Sequence, residues 1–564
     1  MGMKQSLMQK MLKKKSQTLK VMVPVGVIAL EQKWKEGKGS PLCPIPDITE
    51  TGVDEIEIYT IKEPFCYARI IYDNNESEFV YQIHEPPMDE KEADILKLVK
   101  DTLQRTLEYE LDKMAIKDKS EYLKKSVDSY IKSREMRLEP ATVRKIHYFI
   151  ARDFVGYGSI DSMMNDKYIE DISCDGTNVP IFIYHQKYES VKTDVKFEEE
   201  ADLNSFVIYL GQRCGKQVSV SVPILDGTTT EGHRVQATYG TEVTTRGSSF
   251  TIRRFKEKPF TPVELITYNT ASLNMVAYAW MLVEHGQSMI IAGGTASGKT
   301  ATLNALALFI KPGAKVITME DTREINLPHE NWIPGTTRTG VGERDKNGKA
   351  AGEIDMFELV RAALRQRPDY IIVGEVRGAE TATMFQAMAT GHTTYSTMHA
   401  DSVKSMINRL ENPPISTPRI LLTSLNFVII QKHVRVGDSI VRRITQIVEL
   451  VGFEPETNEV ITNMVYEWDQ RSDSFIYKGH SFMLDQIMEM KNMTHEEMNA
   501  EMKRRVDIIK YMVEKEIVDF RKISNLVVSY YKEPMETIQK IREEMGWIEE
   551  SSLLMNEGGA DIGA

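Results

Sequence analysis

Between Ser288 and Thr300 the chain reads SMIIAGGTASGKT. Gly293 and Gly298 there are separated by four residues and followed directly by Lys299 and Thr300, which is the G-x-x-x-x-G-K-[ST] spacing. Each residue type has a use in holding phosphate. The turn Gly293, Gly294, Thr295, Ala296, Ser297 and Gly298 can point backbone N–H groups at an anion. Lys299 can reach β- and γ-phosphates, and the Thr300 hydroxyl can bind Mg2+. Met289 to Ala292 read as a buried strand and Thr302 to Ile310 as a helix stopped by Lys311-Pro312-Gly313. Strand, loop and helix in that order set a helix N-terminus against the phosphates. Thr302, at the start of that helix, completes the candidate nucleotide-binding set. A glycine-rich turn with no ligand is the bland alternative, but a chance match in a chain this long is on the order of a few per cent at average glycine usage. The residues imply a nucleoside triphosphate, ATP with Mg2+.

Other residues suited to phosphate chemistry follow downstream. Ala314 to Met319 read as a strand ending in Glu320-Asp321-Thr322-Arg323-Glu324, and acids at the end of a parallel strand face the crevice where such sheets bind ligands. Asp369 to Val376 form another apolar strand with Glu375 at its tip, a place from which a carboxylate holds Mg2+ or polarises water. A fourth strand within Thr393 to Thr397 is flanked by His392 and His399, and Asp401 is expected to open the next helix. A lone histidine is more often structural; one that follows a strand of a nucleotide sheet can sense a γ-phosphate. Upstream, Arg234, Arg246, Arg253 and Arg254 crowd a strand-turn-strand pattern from His233 to Phe255. Their bland reading is a solvated sheet face. The alternative is service to the triphosphate, because arginine pairs with phosphate in a bidentate fork.

At 564 residues the chain needs three or four domains to position these groups. Charged residues are 27% and apolar ones 41%, and no run of 18 apolar residues is present. Four scattered cysteines, with no C-x-x-C pair, suggest neither zinc nor disulfides. A net charge of −12 argues against a protein that tracks nucleic acid, so no nucleic-acid partner is expected. Met1 to Lys20 nevertheless holds six lysines and no acid. That arm is either a solvated terminus or a contact for anionic lipid.

Glu55 to Ile61, Cys66 to Tyr72 and Glu78 to His84 read as a small sheet. Asp89-x-x-Glu92 then starts a helix buried through Leu96, Val99, Leu103 and Leu107. After Leu138 a helical opening leads to strands expected at Val179 to His185 and Gln217 to Val222. Lys256 to Pro262 read as a linker. Asp355-x-x-Glu358 caps a helix before Pro368, and helical stripes recur after Val506. Asn556 to Ala564 are glycine-rich, and their composition suggests disorder.

Four stations, GGTASGKT (293 to 300), ITMEDTREINLPHENW (317 to 332), IIVGEVRGAE (371 to 380) and GHTTYSTMHAD (391 to 401), resemble the Walker A, Asp-box, Walker B and His-box motifs of the type II and type IV secretion ATPase superfamily. YIEDISCDG, SSFTIRRF and RLENPPISTPRILLTSL look like its archaeal branch, with the archaellum motor ATPases the nearest likeness within it. The resemblance covers roughly residues 45 to 550. It implies that Lys299 and Thr300 hold phosphates and Mg2+ and that Glu320 activates water, with Asp321 and Glu324 beside it. Glu375 would support Mg2+ and catalysis, His399 would contact the γ-phosphate, and Arg234 and Arg253 would close over the nucleotide as charge-stabilising fingers. Bacterial relatives often carry paired C-x-x-C motifs that are missing here, and no catalytic role is assigned to Gly335 to Gly352 with its Arg338, Arg344 and Lys346.

The fold class implied is α/β: a RecA-like P-loop domain with a parallel-core sheet, preceded by smaller α/β N-terminal domains and followed by a helical C-terminal tail. The expected boundaries are a basic arm over 1–40, N-terminal domains over 41–134 and 135–255, a linker over 256–262, the ATPase domain over 263–490 and a helical region over 491–564. The resemblance further implies a homo-hexamer on the inner face of the cell membrane. It would work through a polytopic membrane platform protein to assemble, and possibly rotate, an archaellum. An adhesive pilus or a secretion or DNA-transfer system is the alternative load. A weakly hydrolysing, nucleotide-gated scaffold is the alternative of another class. The short tether from Arg253 to Pro262 favours arginines that act on their own subunit's nucleotide.

Overall fold

The computed structural model describes residues 39–107, 116–255, 258–338, 340–344, 350–437, 439–454, 456–457 and 459–547. Residues 1–38 of the basic arm, Lys346, part of the expected linker and the glycine-rich end at 556–564 lie outside the described residues. The chain divides into two compact units, residues 1–254 and 255–564. Among the described residues no helix is long and apolar enough to cross a membrane.

The first unit is built on nine strands: β1 (Val53–Lys62), β2 (Cys66–Asp73), β3 (Glu78–His84), β4 (Ile169–Cys174), β5 (Pro180–His185), β6 (Glu189–Lys196), β7 (Ile224–Thr228), β8 (Arg234–Thr238) and β9 (Ser249–Arg253). Their order in the sheet is β1-β2-β3-β6-β5-β4-β9-β8-β7. The strands of the two expected N-terminal units therefore share one sheet, joined where β3 runs parallel to β6 through Val80↔Lys192 and Tyr81↔Thr193. Buried Asp166 strengthens that join, because its Oδ2 accepts hydrogen bonds from the hydroxyls of Tyr59 (2.6 Å) and Tyr81 (2.8 Å). The helices Glu90–Leu107, Ile116–Ser133 and Pro140–Phe154 close a separate core of Leu96, Val99, Leu123, Val127 and Ile146. Asp89 and Glu92 form the expected reciprocal cap. The strand expected over Gln217 to Val222 is absent and must be corrected: only an isolated Ser219↔Val222 bridge forms. Alternation there puts Val220 and Val222 in solvent, and pairing with β8 begins only after Pro223.

The second unit holds β10 (Met289–Gly293), β11 (Val316–Glu320), β12 (Trp332–Thr336), the small hairpin β13 (Val341–Arg344) and β14 (Ala350–Ala351), β15 (Tyr370–Val373), β16 (Thr393–Met398), β17 (Phe427–Val436), β18 (Ser439–Glu454), β19 (Glu459–Asp469) and β20 (Ser474–Tyr477). Apart from the hairpin they form one sheet, β12-β11-β15-β16-β10-β17-β18-β19-β20. It is parallel from β12 to β17 and antiparallel beyond. Parallel strands buried on both faces should be uninterrupted apolar runs, and β10 is one. Met289 and Ile291 enter the core on one face, Ile290 and Ala292 the core on the other.

The expected tail is four helices, Phe482–Lys491, His495–Glu514, Phe520–Lys532 and Pro534–Met545, whose apolar faces merge with the core around helix Leu273–Glu284. Trp280 stacks on Phe309 at 4.5 Å, and its Nε1 donates to the Tyr531 hydroxyl (2.7 Å), which itself donates to the Phe309 carbonyl (2.6 Å). Wholly buried Glu449 on β18 accepts from the Tyr278 hydroxyl (2.7 Å), the Ser481 hydroxyl (2.5 Å), Asn463 Nδ2 (2.9 Å) and the backbone N–H groups of Phe482 and Met483. A carboxylate at the start of a helix satisfies otherwise orphaned donors.

Candidate active site

The loop after β10 is shaped by three backbone features. Gly298 takes φ +93° at the helix N-cap, and Ala296 also lies in the left-handed region at +56°. A side chain on Gly293 would begin 2.1 Å from the carbonyl oxygen of Gln431, whereas one on Gly294 would meet nothing within 4 Å. The loop is therefore pressed against β17 at its base and open above, as a phosphate cradle requires. The helix begins at Lys299, three residues before the expected Thr302, and runs to Ala307. Lys299 is buried, and its Nζ donates to the Gly294 carbonyl at 2.8 Å, as does the Ser297 hydroxyl at 2.9 Å. Thr300 is half-buried. Thr302 is wholly buried and its hydroxyl has no partner among the described residues, so it does not share the exposure of Gly294, Thr295 and Ala296.

Parallel register brings the other stations to the same end of the sheet. Ala292 on β10 is level with Met398 on β16, and Ser396 with Val373 on β15, which is level with Met319 on β11. One residue past β11's Met319 stands Glu320, two past β15's Val373 stands Glu375, and one past β16's Met398 stands His399. The Glu375 carboxylate accepts from Arg377 Nη2 at 2.7 Å through one oxygen and meets His399 Nε2 at 3.3 Å through the other. Burial pushes the Lys299 ammonium below its usual range, opposed by the negative charge of Glu375 and Glu324. Burial also lowers His399, helped by the positive charge of Lys299 and opposed by Glu375. Lys299, Glu375, His399 and Arg377 thus form one electrostatic cluster.

Glu320 is only 3% exposed. Its Oε1 accepts from the backbone N–H groups of Glu324 (2.9 Å) and Ile325 (3.0 Å), and its Oε2 has no partner among the described residues. Burial pushes its carboxyl up to about 8 despite those two donors. Gly374 packs on it so closely that a Cβ would sit 2.9 Å from Glu320 Cγ. Asp321 and Glu324 are exposed. The next helix is capped by Ser402, whose hydroxyl accepts from Ser405 N–H at 3.2 Å, and not by the expected Asp401. Asp355 and Glu358 form the expected capping box.

In the first unit Arg234 and Arg253 are direct cross-strand partners on β8 and β9. Both are exposed, near Asp226 (3.7 Å) and Asp171 (3.9 Å) respectively. Arg246 is exposed in the connecting turn. Arg254 turns inward and must be removed from the set of free arginines, because its Nη1 donates to the carbonyls of Asp166 and Ile169. Sequence reasoning missed Arg377, Gly374 and Gln431. Arg377 could have been found from its place two residues after Glu375, and Gln431 as the polar break in FVIIQ.

A family model described as "Type II/IV secretion system protein" matches residues 215–544. The chain belongs to the type II/IV secretion system ATPase family. A second model, "PilB3-like, N-terminal", matches residues 22–87. An uncharacterized protein of Methanocaldococcus jannaschii is 36% identical over 407 residues, covering 71% of this chain and 72% of the relative. The type IV secretion system protein PtlH of Bordetella pertussis is 34% identical over 182 residues, 30% of this chain and 51% of PtlH. Among solved structures the Legionella pneumophila ATPase DotB is similar, at 19% identity and a TM-score of 0.35, over 59% of this chain and 91% of that one. As a member of this family the chain is an ATPase, with a nucleotide as substrate.

Proposed function

We propose that this family member is a hexameric motor ATPase that drives assembly of an archaeal surface filament, the archaellum, through a membrane platform protein at the inner face of the cell membrane. The observation that carries the ATPase chemistry is the convergence of Lys299, Glu375 and His399 at the open end of the parallel strands. The likeness of YIEDISCDG, SSFTIRRF and RLENPPISTPRILLTSL to the archaeal branch supports the load.

In this reading the 293–300 loop binds the phosphates and Lys299 leaves the Gly294 carbonyl for the β- and γ-phosphates. Glu320 accepts a proton from water, and His399 contacts the γ-phosphate. Arg234 and Arg253, exposed cross-strand neighbours, supply positive charge to the phosphates. Thr300 and Glu375 would hold Mg2+. Two oxygen donors suit an ion that keeps several waters and binds through substrate phosphates. When bound, Mg2+ would neutralise charge on the phosphate oxygens. Loss of a γ-phosphate contact shifts a two-state element, which is the physical basis for motor action.

The test compares Lys299→Ala with Glu375→Gln in phosphate release and ATP binding, with anionic vesicles present. Lys299→Ala should lose phosphate-dependent affinity; Glu375→Gln should keep affinity and lose turnover. Two variants that bind and hydrolyse ATP equally would refute the site, and a wild-type chain that binds without hydrolysing would support a scaffold. The PilB3-like match over residues 22–87 supports a second load, an adhesive pilus. Deleting the gene separates the two, through loss of swimming or loss of surface attachment.

A further inference from the structure

The first unit contains a cavity of about 280 Å3 that shares no residue with the nucleotide site. It lies where the end of β1 and the β1–β2 turn meet the helices Ile116–Ser133 and Pro140–Phe154. Its walls are apolar: Leu123, Val127 and Ile150 are buried, and Phe65 stacks on Tyr148 at 5.0 Å with 11° between the rings. The Tyr148 hydroxyl donates to Glu85 Oε1 at 2.7 Å, which holds that wall in place. Lys62, Lys124 and Arg144 also line the cavity, from three different elements, and all three are exposed. None of them makes an ion pair among the described residues. The acids on the first of the two helices are already engaged, Glu121 by Lys125 at 2.8 Å and Asp128 by His147 at 2.9 Å. Lys62 Nζ stands 5.7 Å from the centre of the Tyr148 ring, so its charge sits over the apolar wall itself. In a chain with a net charge of −12, three unpaired cations around one apolar cavity run against the overall balance.

We propose that this cavity is a docking site for an acidic segment of a partner protein, which seats one bulky apolar side chain against Phe65 and Tyr148 and sets carboxylates against Lys62, Lys124 and Arg144. Size decides the apolar part. A cavity of about 150 Å3 takes a benzene ring, and pockets for whole small molecules run from about 300 to 1,000 Å3. About 280 Å3 therefore suits one two-ring side chain and is too small to bury a whole nucleotide or lipid. Charge decides the rest. Three cations spread over two helices and a strand match several acids along a chain better than a single headgroup. An amphipathic segment is seated in this way, through an anchoring side chain in a pocket flanked by polar contacts. Exposed cations add little each, so the apolar side chain supplies the affinity and the cations select an acidic partner over a basic one.

The experiment is calorimetric titration of the full-length chain at low salt with three blocked peptides, Glu-Glu-Trp-Glu-Glu, Glu-Glu-Ala-Glu-Glu and Lys-Lys-Trp-Lys-Lys. Only the first should bind the wild-type chain measurably. The double variant Lys124→Glu with Arg144→Glu should weaken it by about 10-fold or more, since two attractions become repulsions, and should bind the lysine peptide instead. Ala151→Phe, which fills the cavity, should abolish binding of both. ATP hydrolysis at the wild-type rate marks each variant as folded; should Ala151→Phe not fold, the exchange of charge preference alone decides. Equal binding of the tryptophan and alanine peptides, binding unchanged by the charge reversal, or no binding at all would overturn the proposal. A wild-type chain that ignores all three peptides but floats with phosphatidylglycerol vesicles, and loses flotation in the double variant, would overturn it in favour of a lipid contact.

Discussion

Glu320 offers a test whose size follows from its surroundings. Its carboxyl is buried and its pKa is raised from 4.5 to about 8. In the unfolded chain it loses its proton near 4.5; in the folded chain it keeps it until about 8. Between those values the folded state binds the extra proton, so stability falls as pH rises. The contribution is fully present below about 4.5 and lost above about 8. At about 1.4 kcal/mol per pH unit the whole loss is roughly 5 kcal/mol, of which about 3 has gone by pH 7. Glu320→Gln removes the ionisation while its amide oxygen can still accept from Glu324 and Ile325. The variant should therefore gain stability on wild type steadily from pH 5 to 8, and the difference should level off above. Urea unfolding followed by tryptophan fluorescence suits the measurement, since four of the five tryptophans, Trp280, Trp332, Trp468 and Trp547, lie in the second unit. Other titrating groups are common to both proteins and cancel in the difference. A difference that is flat from pH 5 to 8, or that falls, would refute the reasoning. The same proton should govern turnover: if Glu320 accepts a proton from water, kcat/KM rises about tenfold per pH unit toward 8 and then levels, because kcat/KM reports the free enzyme.

Glu449→Ala should destabilise the second unit by about 3 to 5 kcal/mol, because the buried Tyr278 and Ser481 hydroxyls would lose their carboxylate acceptor; denaturant melts should show Glu449→Gln losing less. If the arginines act within one subunit, mixing Arg234→Ala with Lys299→Ala chains under co-assembling conditions should leave ATPase activity near zero, and recovered activity would show that a neighbour supplies them. Removing residues 1–20 should keep ATPase activity and lower flotation with anionic liposomes at low salt, at about 1 kcal/mol per lysine; unchanged flotation would exclude a membrane role for the arm.

The phosphate loop was legible in the sequence because its chemistry is local. Glycine placement, a lysine and a hydroxyl within eight residues dictate what the loop can hold, and the apolar run Met289 to Ala292 marks a strand buried on two faces. The same logic placed Glu320, Glu375 and His399 at strand ends. Their meeting depended on order in space: β11, β15, β16 and β10 are neighbours in the sheet but far apart in sequence, and only that order sets His399 against Glu375. Alternation shows which face a residue is on and nothing about what covers that face. Gln217 to Val222 alternates as a strand should, yet lacks a partner along its length. Arg254 looked equivalent to Arg253, but one residue along the chain it turns inward to the carbonyls of Asp166 and Ile169. Glu449 and Arg442, both on β18, show the same limit. The sequence marks each only as a charged residue, and tertiary packing makes one a wholly buried helix cap and the other an exposed anchor of the phosphate loop, because what surrounds a side chain comes from segments distant in the chain.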